Sequence, residues 1–395
     1  MIGGQVIVEG VGMTPFCRQP GRGLKALAAD AVGDALADAG CTLSDVEAVW
    51  VANSLAGLVT GQEAVRGQTI TRSLNLDYVP VFNVDNACAS GASGLYLAWQ
   101  AIRAGAFERV LVIGVEQLSH ADKARTFAAL AAAADVEELA ELGSDRSVFM
   151  DIYAGAARRH MDLFGVTVED YAWIAAKNHT HAVDNPKAQY RAAMTVEEVL
   201  AATPVLSPLT VPMCSPVGDG AAAVVLAAEG SSRSDGRRRV RIAGAAVVSG
   251  GAASGGDPAA ALVPVARRAY EAAGIGPADV DVAEVHDAVS PAELFAYEGL
   301  GLCPPGDGAK LVREEATRLG GRIPVNPSGG LVSKGHPVAA SGVAQIVELT
   351  AQLRGQAGRR QVDGARTAVA HNGGGYVAGD VAAVAVTILT GDGTP

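Results

Sequence analysis

Cys88 stands between an apolar stretch, YVPVFNV, and the small-residue run ASGASGLYLAWQAIRAG. A β-type stretch followed by helix-period sequence places this cysteine at a strand-to-helix turn. The first amides of a helix lack intrahelical partners, and their partial positive charge favours thiolate over thiol. The same amides can hold the oxygen of a thioester carbonyl as negative charge develops on it. A cysteine so placed can accept an acyl group. A buried structural cysteine fits the same local sequence.

A thiol nucleophile needs a base within hydrogen-bond reach. His336 lies in the turn Gly335-His336-Pro337, directly before helical sequence. His286 ends the strand expected over 280–285, and His371 ends the strand ARTAVA ahead of HNGGG. Strand ends are where open α/β sheets present active groups, and the HNGGG amides could serve a reacting carbonyl. Each segment also reads as an ordinary glycine or proline turn. Metal binding is set aside, because no HExxH-like spacing is present and no carboxylate completes a ligand set. His120, His160, His179 and His181 read as surface or helix-packing residues.

The elements that must position these groups repeat at low fidelity. Residues 27–53 and 264–287 each read as an amphipathic helix, a glycine stop, a turn and a strand. GASGLYLAWQAIRAG at 91–105 echoes AASGVAQIVELTAQLRG at 339–355, which aligns Cys88 with His336. GDGAAAVVLAA at 218–228 echoes GDVAAVAVTIL at 379–389. Three echoes in one order indicate duplication of a mixed α/β unit, whose halves could bring Cys88 and His336 together about a pseudo-twofold axis. The expected organisation is an N-terminal core over 1–230, a polar linker SSRSDGRRR at 231–239, and a C-terminal core over 240–395. Within the first core, 115–210 reads as a helical insert without an evident strand pair.

Composition narrows the function classes. The chain has 395 residues, 49% hydrophobic and 18% charged, which is enough apolar sequence for a large core or two domains. A formal charge of -11 disfavours nucleic acid and anionic membranes as partners. Cys17, Cys41, Cys88, Cys214 and Cys303 are scattered and odd in number, which argues against a disulfide framework and for a reducing cytoplasm. The opening MIGGQVIVEGVGMTPF lacks the features of a secretion signal, and no membrane span is expected.

Taken in order, these segments resemble the thiolase superfamily, particularly the branch containing the thiolase domain of sterol carrier protein. NACASGASG at 86–94, HDAVSPAE at 286–293, NPSGGLVSKGHPVAASG at 326–342 and HNGGG at 371–375 carry the resemblance. VEGVGMTPF and PLTVPMCSPVGDGAAAVVL at 208–226 agree with it. The resemblance implies a duplicated thiolase fold, an α/β/α/β/α body of five layers with the 115–210 insert over the site. It implies that Cys88 accepts an acyl group, that His336 activates it, and that His286 and His336 hold the second thioester oxygen. The amides of Cys88 and Gly373 would form the other oxyanion hole. It further implies a homodimer or dimer of dimers, and in some relatives a small OB-fold partner containing zinc.

Two replacements set this chain apart within that resemblance. Thiolases keep a second cysteine for the carbon acid, either in the C-terminal CxG loop or directly after the His-Asp pair. Here those positions hold His371 and Ala288. The expectation is therefore an acyltransferase that loads Cys88 from acyl-CoA or another acyl-thioester and passes the group to CoA or a carbon nucleophile. No tightly bound cofactor is expected, and the 115–210 insert carries no evident basic patch for the phosphates of CoA. The alternatives are decarboxylating condensation of the ketoacyl-synthase kind, with Cys88, His336 and His371, or a non-catalytic thiolase-like subunit of a complex.

Overall fold

Strand residues alternate between faces, and in the strand Arg109–Glu116 both faces are apolar and buried. Val110 and Val112 point one way, and Leu111, Ile113 and Val115 the other, so helices must cover both sides. The computed structural model describes residues 4–138, 147–233, 236–251 and 257–392. The chain opens with β1 (Val6–Met13), α1 (Leu24–Ala39), β2 (Ala48–Ala52), α2 (Ala56–Thr60) and α3 (Arg66–Ser73). It continues through β3 (Val81–Val84), α4 (Ser90–Arg103) and β4 (Arg109–Glu116). An excursion follows: α5 (Lys123–Ala131), α6 (Val148–Phe164), α7 (Val168–Ala182) and α8 (Val196–Ala201). It is not purely helical. A hairpin of β5 (Pro204–Leu206) and β6 (Leu209–Thr210) closes it, with strands too short to show alternation in sequence.

β7 (Gly220–Ala228) then rejoins the sheet, and β8 (Val240–Ser249), α9 (Leu262–Ala273) and β9 (Val282–Glu284) begin the second half. After α10 (Ser290–Gly299), α11 (Gly308–Arg313), α12 (Gly330–Lys334) and α13 (Ser341–Arg354), the hairpin β10 (Thr367–Val377) and β11 (Asp380–Gly391) ends the fold. Among the described residues nine strands form one sheet, ordered β3-β2-β4-β7-β1-β8-β11-β10-β9.

The order reads the same from both ends. β2 pairs in parallel with β3 and β4, while β7 runs antiparallel to β4 and β1. In the second half β9 pairs in parallel with β10, and Val325 bridges Ala283 in parallel where the first half has β3. β11 runs antiparallel to β10 and β8. Each sequence echo thus lands on equivalent elements: α1–β2 on α9–β9, α4 on α13, and β7 on β11. The duplicated α/β fold expected from the sequence is the observed one.

Layering follows from which face each strand shows. α1 covers one face of the first half-sheet, packing Leu27, Ala31 and Ala35 on Leu111 and Ile113. α4 and α13 form the middle layer, where Trp99, Val343 and Leu349 share a core with Val112 from one half and Ala368 and Leu389 from the other. α9 and α10 cover the far side, with Val265, Ala269 and Leu294 against Val369 and Val386. No helix among the described residues is long and apolar enough to cross a membrane.

At Gly91 the middle layer has no room for an extra atom. A Cβ on Gly91 of α4 would lie 2.5 Å from the Ala339 carbonyl oxygen and 3.0 Å from a Val343 methyl. Gly91→Ala is therefore expected to cost about 1–3 kcal/mol. Gly33→Ala, in open space on α1, should instead stabilise by up to about 1 kcal/mol. Urea denaturation of both variants checks the contrast, and equal midpoints would contradict this account of the layer.

Candidate active site

The Cys88 turn is built from short side chains bonding to their own backbone. Ser90 Oγ accepts from the Asn86 amide at 2.9 Å and donates to the Ala87 carbonyl at 2.6 Å. Asn86 Nδ2 donates to Ser93 Oγ at 2.8 Å, and the Ala87 amide donates to Asp85 Oδ1 at 3.0 Å. Ala87 is held at φ 49°, a left-handed conformation that alanine adopts at a cost. The β10 backbone lies directly against this turn. A Cβ on Gly374 would overlap Asn86 O and Ala89 N, so the HNGGG run is needed for approach.

Duplication delivers what the sequence alignment proposed. The Cys88 thiol and a ring nitrogen from each of His286 and His336 all lie within 4.8 Å of one another. The two imidazoles meet edge to face, with centroids 5.1 Å apart. Their outer nitrogens fix what they present. His336 Nδ1 lies 2.7 Å from Ser341 Oγ, and its buried Nε2 has no partner among the described residues. Nδ1–H donating to Ser341 leaves Nε2 as a lone pair. Asn372 Nδ2 donates to His286 Nδ1 at 3.2 Å, which puts the His286 proton on Nε2. One ring thus offers an acceptor and the other a donor.

Burial sets the charge states. It lowers His286 to about 4, and burial together with the neighbouring His286 and Lys334 holds His336 well below its ordinary value. Both rings are neutral near pH 7. Cys88 corrects an expectation. Burial first, and then the charge of Glu116, push its thiol up to about 12. The amides of Gly375 and of Cys88 itself oppose the shift and are outweighed. The helix terminus therefore does not produce a resting thiolate. The thiol also meets the amide of Gly375, while Gly373, expected in the oxyanion hole, lines the second cavity together with Cys88.

Two carboxylates that the sequence reading passed over hold these loops together. Glu116, at the end of β4, accepts from Asn53 Nδ2 and from the amides of Ser54, Ala56 and Ala339. It joins the first half to the turn after His336, and burial raises it to about 7. Asp287 accepts from the Leu331 amide at 2.6 Å and from Asn178 Nδ2 at 2.8 Å. While His286 faces the thiol, Asp287 pins the start of α12, which leads to His336.

Two cavities meet at Cys88. One, of about 290 Å³, is lined by Cys88, His336, Ala288, Cys214, Met150 and Tyr153 among others. The second, of about 380 Å³, is lined by Cys88, Tyr153, Arg159, Phe295, Gly373 and Tyr376 among others. Cys214, left unassigned from sequence, sits beside Ala288: the Ser215 amide donates to the Ala288 carbonyl at 2.9 Å. The Cys214 thiol donates to Thr210 O at 3.5 Å. Cys303 lines neither cavity.

His371 does not end its strand, because β10 continues to Val377. Residues 371 and 372 therefore face opposite sides, and it is Asn372 that reaches His286. His371 lines neither cavity, burial and then the neighbouring His286 lower it to about 3, and its carbonyl accepts from Gln345 Nε2 at 2.9 Å. His120 is exposed, whereas His160, His179 and His181 are buried helix-packing residues. Chemically, one thiol and two neutral imidazoles can relay a proton and steady an oxyanion. The same three donors form a set that a transition-metal ion could use, a capacity that spacing in the sequence did not disclose.

Known proteins share this arrangement of elements. The thiolase N-terminal domain model matches residues 5–230, and the thiolase C-terminal domain-like model matches residues 257–387. Human sterol carrier protein 2 is 38% identical over 385 residues, covering 93% of this chain and 69% of its own length. The benzoylsuccinyl-CoA thiolase subunit BbsB of Thauera aromatica is 36% identical over 384 residues, covering 94% of this chain and 95% of its own. The solved Ltp2-ChsH2(DUF35) aldolase superposes with a TM-score of 0.84 at 24% identity over the whole of both chains. The chain belongs to the thiolase superfamily, with Ala288 and His371 at the two positions where its branches carry a second catalytic cysteine.

Proposed function

We propose that the chain is the thiolase-fold subunit of a complex with a smaller partner, and that it makes or breaks a carbon–carbon bond beside a thioester. One observation carries this reading. Cys88 sits where two cavities meet, with a ring nitrogen of His336 and one of His286 within 4.8 Å of its thiol, while Ala288 supplies no second thiol. Two relatives support the assembly: one is named as a subunit, and the other is a complex with a DUF35 protein. A small OB-fold partner is the kind implied by the family resemblance.

In this reading His336 Nε2 takes the Cys88 proton as the sulfur attacks the acyl carbonyl. The amides of Cys88 and Gly375 hold the oxygen that becomes negative. His286 Nε2–H, with its tautomer set by Asn372, and His336 hold the oxygen of the second thioester. Acyl-CoA or another acyl-thioester is the donor, and homodimers form the enzyme's core. His371 lines neither cavity. That weakens the decarboxylating alternative, which needs it beside Cys88.

A non-catalytic subunit is the second reading, favoured by the poor acidity of the Cys88 thiol and by the missing cysteine. Intact-mass measurement separates the two. After incubation with acetyl-, butyryl- and octanoyl-CoA, an acyl adduct is expected on the wild type with at least one donor, and none on Cys88→Ala. No adduct with any donor on folded protein would leave only the non-catalytic subunit.

The thiol's acidity gives a second test. With the group near 12, its thiolate fraction rises about tenfold per pH unit through the neutral range. Alkylation of Cys88 by iodoacetamide should follow that slope between roughly pH 7 and pH 9 without levelling, with Cys88→Ala as the blank. A plateau at or below neutral pH would mean a resting thiolate and overturn the proton relay through His336.

A further inference from the structure

Resting on that reading, we infer that Tyr153 is the acid–base group of the carbon half of the reaction, and that it protonates the α-carbon released when a β-ketoacyl thioester is cleaved. Among the described residues Cys88, Phe149 and Tyr153 line both cavities. Of these, Cys88 and Tyr153 alone carry an exchangeable side-chain proton. Tyr153 lies on α6 and shares the first cavity with Ala288, the position that lacks the usual thiol. No group among the described residues hydrogen-bonds its hydroxyl, so the proton is free for a ligand.

Other groups near the site are less suited. The Cys214 thiol already donates to Thr210 O, and it lines only the first cavity. Tyr190 also lines only the first cavity, and its ring lies against His179. His286 and His336 serve the two oxygens and the sulfur. Burial, followed by the nearby Cys88 and Asp287, holds the Tyr153 phenol above its ordinary range. The hydroxyl is thus protonated at rest, as a donor must be.

The step balances as follows. His336 takes the Cys88 proton, and the sulfur bonds to the β-carbonyl carbon. The bond between that carbon and the α-carbon breaks, and its electron pair passes to the α-carbon as a thioester enolate. Tyr153 gives its proton to that carbon, and the phenolate takes the proton held by His336. In the second half a free thiol gives its proton to His336 and attacks the acyl group on Cys88, whose sulfur leaves and is reprotonated by His336. A β-ketoacyl thioester and a thiol become two thioesters. A thioester enolate is far more basic than a phenolate, so the transfer from Tyr153 to the α-carbon runs downhill, and the same phenolate takes the proton in the reverse step.

Two donors leave the same acetyl group on Cys88 by different routes. Acetyl-CoA needs only thioester exchange, whereas acetoacetyl-CoA must first break a carbon–carbon bond and protonate the enolate. In Tyr153→Phe the acetyl adduct, followed by intact mass, should form from acetyl-CoA within about threefold of the wild-type rate. From acetoacetyl-CoA it should form about 10²–10⁴-fold more slowly. Adding Ala288→Cys to Tyr153→Phe should recover at least about tenfold of the acetoacetyl-CoA route, since a thiol at that position can carry the same proton. Wild-type rates from both donors in Tyr153→Phe would overturn the inference and leave the acyl-enzyme reading standing. So would a wild type acetylated by acetyl-CoA and never by acetoacetyl-CoA. A wild type acetylated by neither donor would sink the acyl-enzyme reading and this inference together.

Discussion

A methyl group at position 374 would overlap the Asn86 carbonyl oxygen and the Ala89 amide nitrogen, and one at position 91 would press on the Ala339 carbonyl. Both contacts join backbone of one half of the molecule to backbone of the other. They are the constraint on which the site depends. Cys88 and His336 come from equivalent turns of the two halves, so their separation is set by how closely α4, α13 and β10 can approach. Interiors pack like crystals and transmit displacement. A side chain inserted at the seam would therefore move the thiol and the imidazoles apart as units. Glycine-rich turns are thus a positional requirement here, ahead of any catalytic role.

The same close packing decides the electrostatics. Drawing a thiol and two imidazoles out of water makes every charged form costly, and burial is the leading cause of the shift at Cys88, His286 and His336 alike. At Cys88 the opposing amides stabilise a thiolate, yet desolvation and the carboxylate of Glu116 outweigh them. The resting site is neutral. On the proposed reading charge appears only as bonds change, when the Cys88 proton reaches His336 as the oxyanion develops and the two charges offset one another. That is the situation in which preorganised amides act with full strength, because no water competes with them.

How much of this was legible in the sequence follows from which features are local or periodic. Alternation and helix period carried the duplicated α/β plan, and the aligned echoes placed Cys88 opposite His336. Parity along β10 was readable in principle. Had HNGGG been recognised as strand, alternation would have given Asn372, not His371, to the side of His286. Other features arise only in three dimensions. The choice between the Gly373 and Gly375 amides depends on a backbone contact, the acidity of Cys88 on its depth, and the position of Cys214 on a bridge to the segment after Ala288. Tyr153 gave no motif at all, since a tyrosine on an amphipathic helix looks like packing until the cavities are seen.

Loss of the second cysteine reshapes the chemistry more than it removes it. A thiol beside the α-carbon can work in both directions, since its conjugate base forms readily enough to take a proton back. In the proposal above a phenol takes that place: it gives its proton to the enolate, and its phenolate takes the proton back in the reverse step. On that proposal the site with Ala288 keeps a proton carrier for the α-carbon in Tyr153, and loading of Cys88 does not depend on it. The site also leaves room for a partner to shape the larger cavity, whose walls include the exposed Arg159 and segments beside Asp257 and Asp380. On the proposed reading, the altered carbon half and a second subunit then meet at this one cavity beside Cys88.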